Sequence, residues 1–244
     1  MTPLVLVHGF MGGAAQWEAQ VAALSPQRPV IALDLPGFGA ANHVAPIDSI
    51  EGFANWVVSE LDAQGVGRFD LLGHSMGGMI VQEVVRLVPE RVGKLILYAT
   101  GSVGVLPGRF ETIAESKARA KADGAEVTAR RIAATWFLEG ENDPAFGACG
   151  DIAAQSSLAA INAGLTAMEN WTGEKALAAI RAETLIIWGD RDRTYPWSQI
   201  ETLWRGIPRC DLAVLPRCAH AVHLERPAAF SELLDDFLVA PQMP

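Results

Sequence analysis

Five segments of this chain carry residues whose types and spacing could do chemistry. The first is Gly73-His74-Ser75-Met76-Gly77-Gly78, a Gly-x-Ser-x-Gly pattern. A strand-like apolar run, Phe69 to Leu72, enters it, and a helical pattern through Met79, Ile80, Val84, Val85 and Val88 leaves it. A strand that turns at once into a helix has no room for side chains at the crossing, which accounts for Gly73 and Gly77. It is the pattern of a nucleophile elbow, with the Ser75 hydroxyl pushed above the sheet. The helix that follows aims its first amides at the same place, where an oxyanion would sit.

A serine hydroxyl needs a base to take its proton. The chain has five histidines. His8, His43 and His74 lie early; His220 and His223 follow the last strand-like run, on a loop at the carboxyl edge of a sheet, where ligand chemistry in open α/β sheets gathers. His220 is the expected base. It needs a carboxylate to fix its tautomer. Asp192, in Gly189-Asp190-Arg191-Asp192, is preferred, with Asp190 the alternative. The expected oxyanion donors are the backbone amides of Met76 and of Phe10, in the His8-Gly9-Phe10 loop. Met11, His74, Trp136 and Val222 are the expected pocket residues. His8 is read as a hydrogen-bonded loop stabiliser, His223 as supporting the site from behind or lying on the surface, Glu225 as a cap of the helix after it, and Cys149 as inert.

These residues need elements to hold them. Leu4 to Val7 and Val30 to Leu33 are short apolar runs that read as strands buried on both faces. Phe69 to Leu72 and Lys94 to Ala99 are the third and fourth. Asp48-Ser49-Ile50-Glu51 has capping-box form ahead of a helix bearing Phe53, Val57, Val58 and Leu61. Strands alternating with helices predict right-handed βαβ units and a parallel sheet. From Ser102 to Trp171 no strand is expected. Helical stretches take over: Arg109 to Asp123, Glu126 to Leu138, and pieces between Asp151 and Trp171. Trp136, Phe137, Leu158, Ile161, Leu165 and Met168 there need burial, so this is an inserted block and not a linker. Strands return at Thr184 to Gly189 and Leu212 to Leu215, and an amphipathic helix starting at Pro227 ends the chain. The division expected is a core of residues 1–101 and 172–244 with a helical lid at 102–171.

The 244 residues carry a net charge of −9, which disfavours nucleic acid and anionic membranes as partners. A basic run, Lys117, Arg119, Lys121, Arg130 and Arg131, reads as a solvated helix face. Three cysteines without metal-ligand spacing fit a cytoplasmic protein. No leader and no membrane span of about 20 apolar residues is expected.

With these motifs the chain resembles the α/β-hydrolase fold superfamily over nearly its whole length. The motifs that carry the resemblance are His8-Gly9-Phe10, Asp34-Leu35-Pro36-Gly37-Phe38-Gly39, the Ser75 elbow, Trp188-Gly189-Asp190-Arg191-Asp192 and His220 followed by Glu225-Arg226-Pro227. The order serine, acid, histidine is that family's order. The resemblance implies an α/β fold, a mostly parallel sheet flanked by helices, with an inserted helical cap. It places Leu4 to Val7 at the family's third strand, so the two edge strands before it are expected to be missing and the partner state to be a monomer or a homodimer.

Within the superfamily the layout looks most like 3-oxoadipate enol-lactonases and small carboxylesterases, through the cap with Trp136-Phe137 and the Leu177-Ala178-Ala179-Ile180 segment. The enol-lactonases tend to have arginine before that tryptophan, where this chain has Thr135. Ser75 stands where haloalkane dehalogenases and epoxide hydrolases have aspartate. The carbon–carbon bond hydrolases of aromatic ring cleavage usually have asparagine before the serine and an aromatic after the histidine; here those are His74 and Ala221. The implied activity is hydrolysis of a small-molecule carboxylic ester or lactone, with no metal or organic cofactor. The alternatives are a carbon–carbon hydrolase, a thioesterase or acyltransferase on the same triad, and a ligand receptor that does no chemistry.

Overall fold

The computed structural model describes residues 1–106 and 111–240. Six strands alternate with helices: β1 (Leu4–Val7), α1 (Glu18–Leu24), β2 (Val30–Leu33), α2 (Ile50–Ala63), β3 (Phe69–His74), α3 (Met76–Leu87) and β4 (Val92–Tyr98). Four helices follow: α4 (Ile113–Asp123), α5 (Ala125–Ala134), α6 (Phe146–Ala154) and α7 (Leu158–Glu169). The alternation resumes with β5 (Glu183–Gly189), α8 (Trp197–Gly206), β6 (Cys210–Leu215), α9 (Val222–Glu225) and α10 (Pro227–Val239). The strands form one sheet in the order β2-β1-β3-β4-β5-β6, every pair parallel.

Strand side chains alternate between faces, and the apolar runs sort accordingly into two cores. Val5, Val7, Leu71, Leu95, Leu97 and Ile186 join α2 and α3 residues such as Phe53, Val57, Ile80 and Val84. Leu4, Leu6, Leu72, Ile96, Leu185 and Ile187 join α1 and α10 residues such as Leu24, Phe230 and Leu234. Burial on both faces is why the inner strands read as unbroken apolar runs. One expectation fails here. Val30, Ile31 and Ala32 of β2 are only half-buried, because this strand forms an edge of the sheet.

Helix starts follow local chemistry. The α2 start lies one residue later than predicted: the Ser49 hydroxyl accepts from the Gly52 amide, and the third helical position is glycine, which cannot close a capping box. A full box exists on α4 instead, between Thr112 and Glu115. The predicted start at Arg109 lies outside the described residues. The predicted helix to Leu138 stops at Ala134, so Trp136 and Phe137 sit on the turn beyond α5.

The four inserted helices lie above the carboxyl end of the sheet, and an isolated bridge between Val103 and Thr172 ties the two ends of the insertion. Small contacts seat it. The Gly164 backbone on α7 lies so close to Phe10 that an added Cβ would come within 2.7 Å of the ring. The Gln16 amide donates to Cys149 Sγ on α6, at 3.1 Å. No helix among the described residues is long and apolar enough to cross a membrane.

Candidate active site

Ser75 lies between β3 and α3 with φ 54 and ψ −119. A positive φ is uncommon for a residue with a Cβ, and such strain persists only where neighbours impose it. Here they do. The Ser75 amide donates to the Tyr98 carbonyl at 3.0 Å, and its carbonyl accepts from the Gly78 amide at 2.9 Å. The Thr100 hydroxyl donates to the same carbonyl at 2.7 Å. A Cβ on Gly73 would strike the Gly77 carbonyl, and one on Gly77 would strike the Val7 carbonyl. The crossing therefore needs both glycines, as the spacing predicted. Ser75 also occupies the N-cap position of α3, yet its hydroxyl makes no capping bond.

His220 lies on the loop after β6. Its Nδ1 is 3.0 Å from Asp192 Oδ2, and the two side chains are 2% and 0% exposed. The other Asp192 oxygen accepts from the amides of Thr194 at 2.7 Å and Tyr195 at 3.2 Å, which fixes the carboxylate plane. Asp190, the alternative acid, is engaged elsewhere: its Oδ1 accepts from the Arg217 amide at 2.6 Å. That bond holds the turn where Arg217 takes φ 58. A Cβ on Gly189 would collide with the Ala219 carbonyl, so this glycine lets the end of β5 pass beneath the His220 loop.

The loop after β1 reaches the same place. A Cβ on Gly9 would lie 3.0 Å from Ser75 Cβ. His8 holds this loop: its Nε2 accepts from the Leu35 amide at 2.9 Å, so Nδ1 carries the proton toward the Gly9 carbonyl at 2.7 Å. Burial pushes the His8 pKa down to about 4, which keeps the ring neutral. Among the described residues, no hydrogen bond engages the amides of Phe10 or Met76.

Beneath His220 lies a set of rings whose mutual packing, and the part of Tyr98 in it, no local motif announced. His74 Nε2 donates to the His220 carbonyl at 3.2 Å, and the Tyr98 hydroxyl donates to the same oxygen at 2.9 Å. His223 Nδ1 lies 3.0 Å from that hydroxyl, and its ring packs on Trp17 at 4.4 Å. His223 is thus buried behind the site, the first of its two expected places, and not on the surface. Burial, with a smaller contribution from His220, lowers its pKa to about 3. Burial and the neighbouring imidazoles hold His74 well below the ordinary histidine value.

Glu225 also differs from expectation. It ends α9 rather than capping the helix that follows. Its two oxygens accept from the Leu138 amide on the inserted block and the Ala219 amide beside His220, at 2.6 and 2.7 Å. The Ala221 amide adds a bond to the Trp136 carbonyl at 2.9 Å. The imidazole loop is clasped to the insertion from both sides.

A cavity of about 460 Å3 lies between the insertion and the sheet. Ser75, His220, Phe10, His74 and Trp136 line it, together with Leu106, Ile132 and Met168. Met11 and Val222 do not; both are fully buried, Met11 in the core that holds Phe10 and Phe38 and Val222 in the core on the α1 and α10 face. Ser75 and His220 share the cavity wall, though no hydrogen bond joins them among the described residues. Cys149 is buried, and that burial raises its thiol pKa to about 12, well away from a reactive thiolate. Among the described residues no cluster of three or more His, Cys, Asp or Glu could hold a metal ion.

Comparison with known proteins gives the family. The chain is 28% identical to the dihydrolipoyllysine-residue acetyltransferase component of the acetoin cleaving system of Pseudomonas putida, over 97% of this chain and 63% of that protein. It spans less than two thirds of that relative's length. It is 30% identical to the 2-hydroxymuconate semialdehyde hydrolase of Pseudomonas sp. strain CF600, over 97% of this chain and 86% of that one. A thermophilic esterase from Thermogutta terrifontis superposes with a TM-score of 0.88 at 25% identity, covering 98% of this chain and 89% of the esterase. The enol-lactonase from Burkholderia xenovorans LB400 shares the fold with a TM-score of 0.89 at 22% identity, over 98% of this chain and 92% of that one. The profile of the Alpha/beta hydrolase family matches residues 4–233, and the chain belongs to that family.

Proposed function

We propose that the chain hydrolyses a small carboxylic ester or lactone through an acyl-enzyme, with Ser75 as nucleophile, His220 as base and Asp192 as the acid that orients it. The observation that carries this reading is the buried Asp192–His220 pair opening onto the cavity that holds Ser75 on its strained turn. Ser75 attacks the carbonyl while His220 takes its proton. The amides of Phe10 and Met76 receive the oxyanion, each such donor contributing roughly 3 kcal/mol to the transition state. His220 then protonates the leaving oxygen, and water repeats the sequence on the acyl-enzyme. Residues 102–171 act as the cap that shapes the pocket, over a core of 1–101 and 172–244. The likeness to the Thermogutta esterase supports the ester reading.

The test is covalent labelling with a fluorophosphonate, followed by rates on p-nitrophenyl acetate and butyrate, a γ-lactone, an acyl thioester and a vinylogous diketone. Wild type should label and cleave esters or the lactone fastest. Ser75→Ala should neither label nor turn over while keeping its fold. Labelling that survives in Ser75→Ala moves the nucleophile elsewhere. A second reading has one observation in its favour, the similarity to 2-hydroxymuconate semialdehyde hydrolase. Faster cleavage of the diketone than of any ester would select it.

A further inference from the structure

The basic run on the inserted helices is not uniform. Lys117 pairs with Glu169 at 2.9 Å, Arg119 with Glu111 at 2.7 Å, and Arg130 with Asp151 at 2.7 Å and Glu126 at 3.3 Å. Arg131 on α5 turns the other way and lines the cavity that holds Ser75 and His220. Its Nε and Nη2 are shut off from the surface, and among the described residues neither has a hydrogen-bond partner. A guanidinium carries five donors and cannot discard its charge, so buried nitrogens left without acceptors are costly. A protein that keeps such a group against its reaction cavity is complementary to something carrying an acceptor there.

The other charges on the wall do not fill that role. Glu111 already receives Arg119 on one oxygen and the Ser116 hydroxyl on the other, at 2.7 and 2.8 Å. Arg193 is exposed and donates to the Leu138 carbonyl at 3.0 Å. The exposed surface of the cavity is largely apolar, with Phe10, Leu106, Ile132, Trp136 and Met168 in its lining. We propose that Arg131 is the anion anchor of this cavity, so that the preferred substrate is an ester or lactone bearing an ionised carboxylate away from the reacting carbonyl. The proposal rests on the reading of Ser75 as nucleophile. A planar carboxylate matches the guanidinium fork with two parallel hydrogen bonds and one compensating charge. The anchor would hold one end of the substrate while the carbonyl lies at Ser75, which fixes orientation as well as affinity.

Two measurements test this independently. The first compares kcat/KM for mono-p-nitrophenyl glutarate and adipate with p-nitrophenyl pentanoate and hexanoate. Wild type should favour the hemi-esters. In Arg131→Met the ratio of hemi-ester to neutral ester should fall by roughly 10- to 100-fold, mainly through KM, with part recovered in Arg131→Lys. The second is calorimetric titration of Ser75→Ala with glutarate and with inorganic phosphate at equal ionic strength. Glutarate should bind, and the further change Arg131→Met should abolish the binding; tighter binding of phosphate would replace the carboxylate by a phosphate ester. An unchanged ratio together with glutarate binding indifferent to Arg131 overturns the anchor, whatever the ester rates. Arg131-dependent glutarate binding in a chain that cleaves no ester would instead retain the anchor and remove the hydrolase reading.

Discussion

At the scale of single residues, two carboxylates two positions apart in one loop have different work. Asp192 gives one oxygen to His220 and the other to two backbone amides; Asp190 braces the Arg217 turn. Asp192→Asn should therefore lower kcat by up to about 10⁴ with little change in KM, since the amide favours the wrong imidazole tautomer. Asp190→Ala should keep most of the turnover and lower stability by about 1 kcal/mol, through the Arg217 amide left without its acceptor. Steady-state kinetics and a denaturant melt on both variants check this. A larger kinetic loss at Asp190 would reverse the assignment.

At the scale of elements, the His220 loop does not stand on its own strand alone. Its carbonyl is held from below by His74 and Tyr98, and Glu225 clasps it to the turn after α5. Removing the clasp leaves the Leu138 and Ala219 amides without acceptors, a loss of about 2 kcal/mol. Glu225→Ala should lower Tm, speed exchange of those two amides, and reduce kcat several-fold because the imidazole loosens. Glu225→Gln, which keeps one acceptor, should recover part of the loss. Hydrogen exchange resolved by residue is the measurement; unchanged protection at Leu138 and Ala219 would show that the clasp carries no stability. The crossing at Ser75 is similar in kind, since Gly77→Ala has to displace the Val7 backbone and should not be tolerated.

At the scale of the whole molecule, burial of imidazoles sets a pH dependence. His8 is lowered to about 4 and His223 to about 3 from an ordinary 6.5, chiefly by burial, and His74 is lowered as well. The unfolded chain then binds more protons than the folded one from about pH 6.5 down to about pH 4, so stability falls as the pH drops through that window. Asp70 and Glu225, whose carboxyls are raised by burial, act in the opposite direction but are fewer. Calorimetry should show Tm decreasing from pH 7 to pH 5 with net proton uptake on unfolding. A Tm constant over that range would mean that these rings are not neutral in the folded state.

Some features could be read locally. Gly73, Ser75 and Gly77 announce their crossing because the steric demand lies within five residues, and Leu4-Val5-Leu6-Val7 announces a doubly covered strand because burial on both faces leaves no polar position. The chain order of Ser75, Asp192 and His220 follows from motifs that each sit at a strand end. Other features depended on packing between segments far apart. The motif already favoured Asp192 over Asp190, but only the folded loop shows why, by turning that carboxylate toward His220 and the other toward the Arg217 amide. Nothing local in His223-Leu224-Glu225 tells that one side chain will be buried on Trp17 and another will clasp an insertion some 90 residues earlier, at Leu138. Arg131 looks like its neighbour Arg130 in sequence, and only the way α5 packs against α4 and α6 pairs one with Asp151 and sets the other at the cavity. Local sterics and hydrophobic period therefore determined the elements and the candidate reacting groups, whereas pairing of charges, which depends on distance in space, was decided by the tertiary structure.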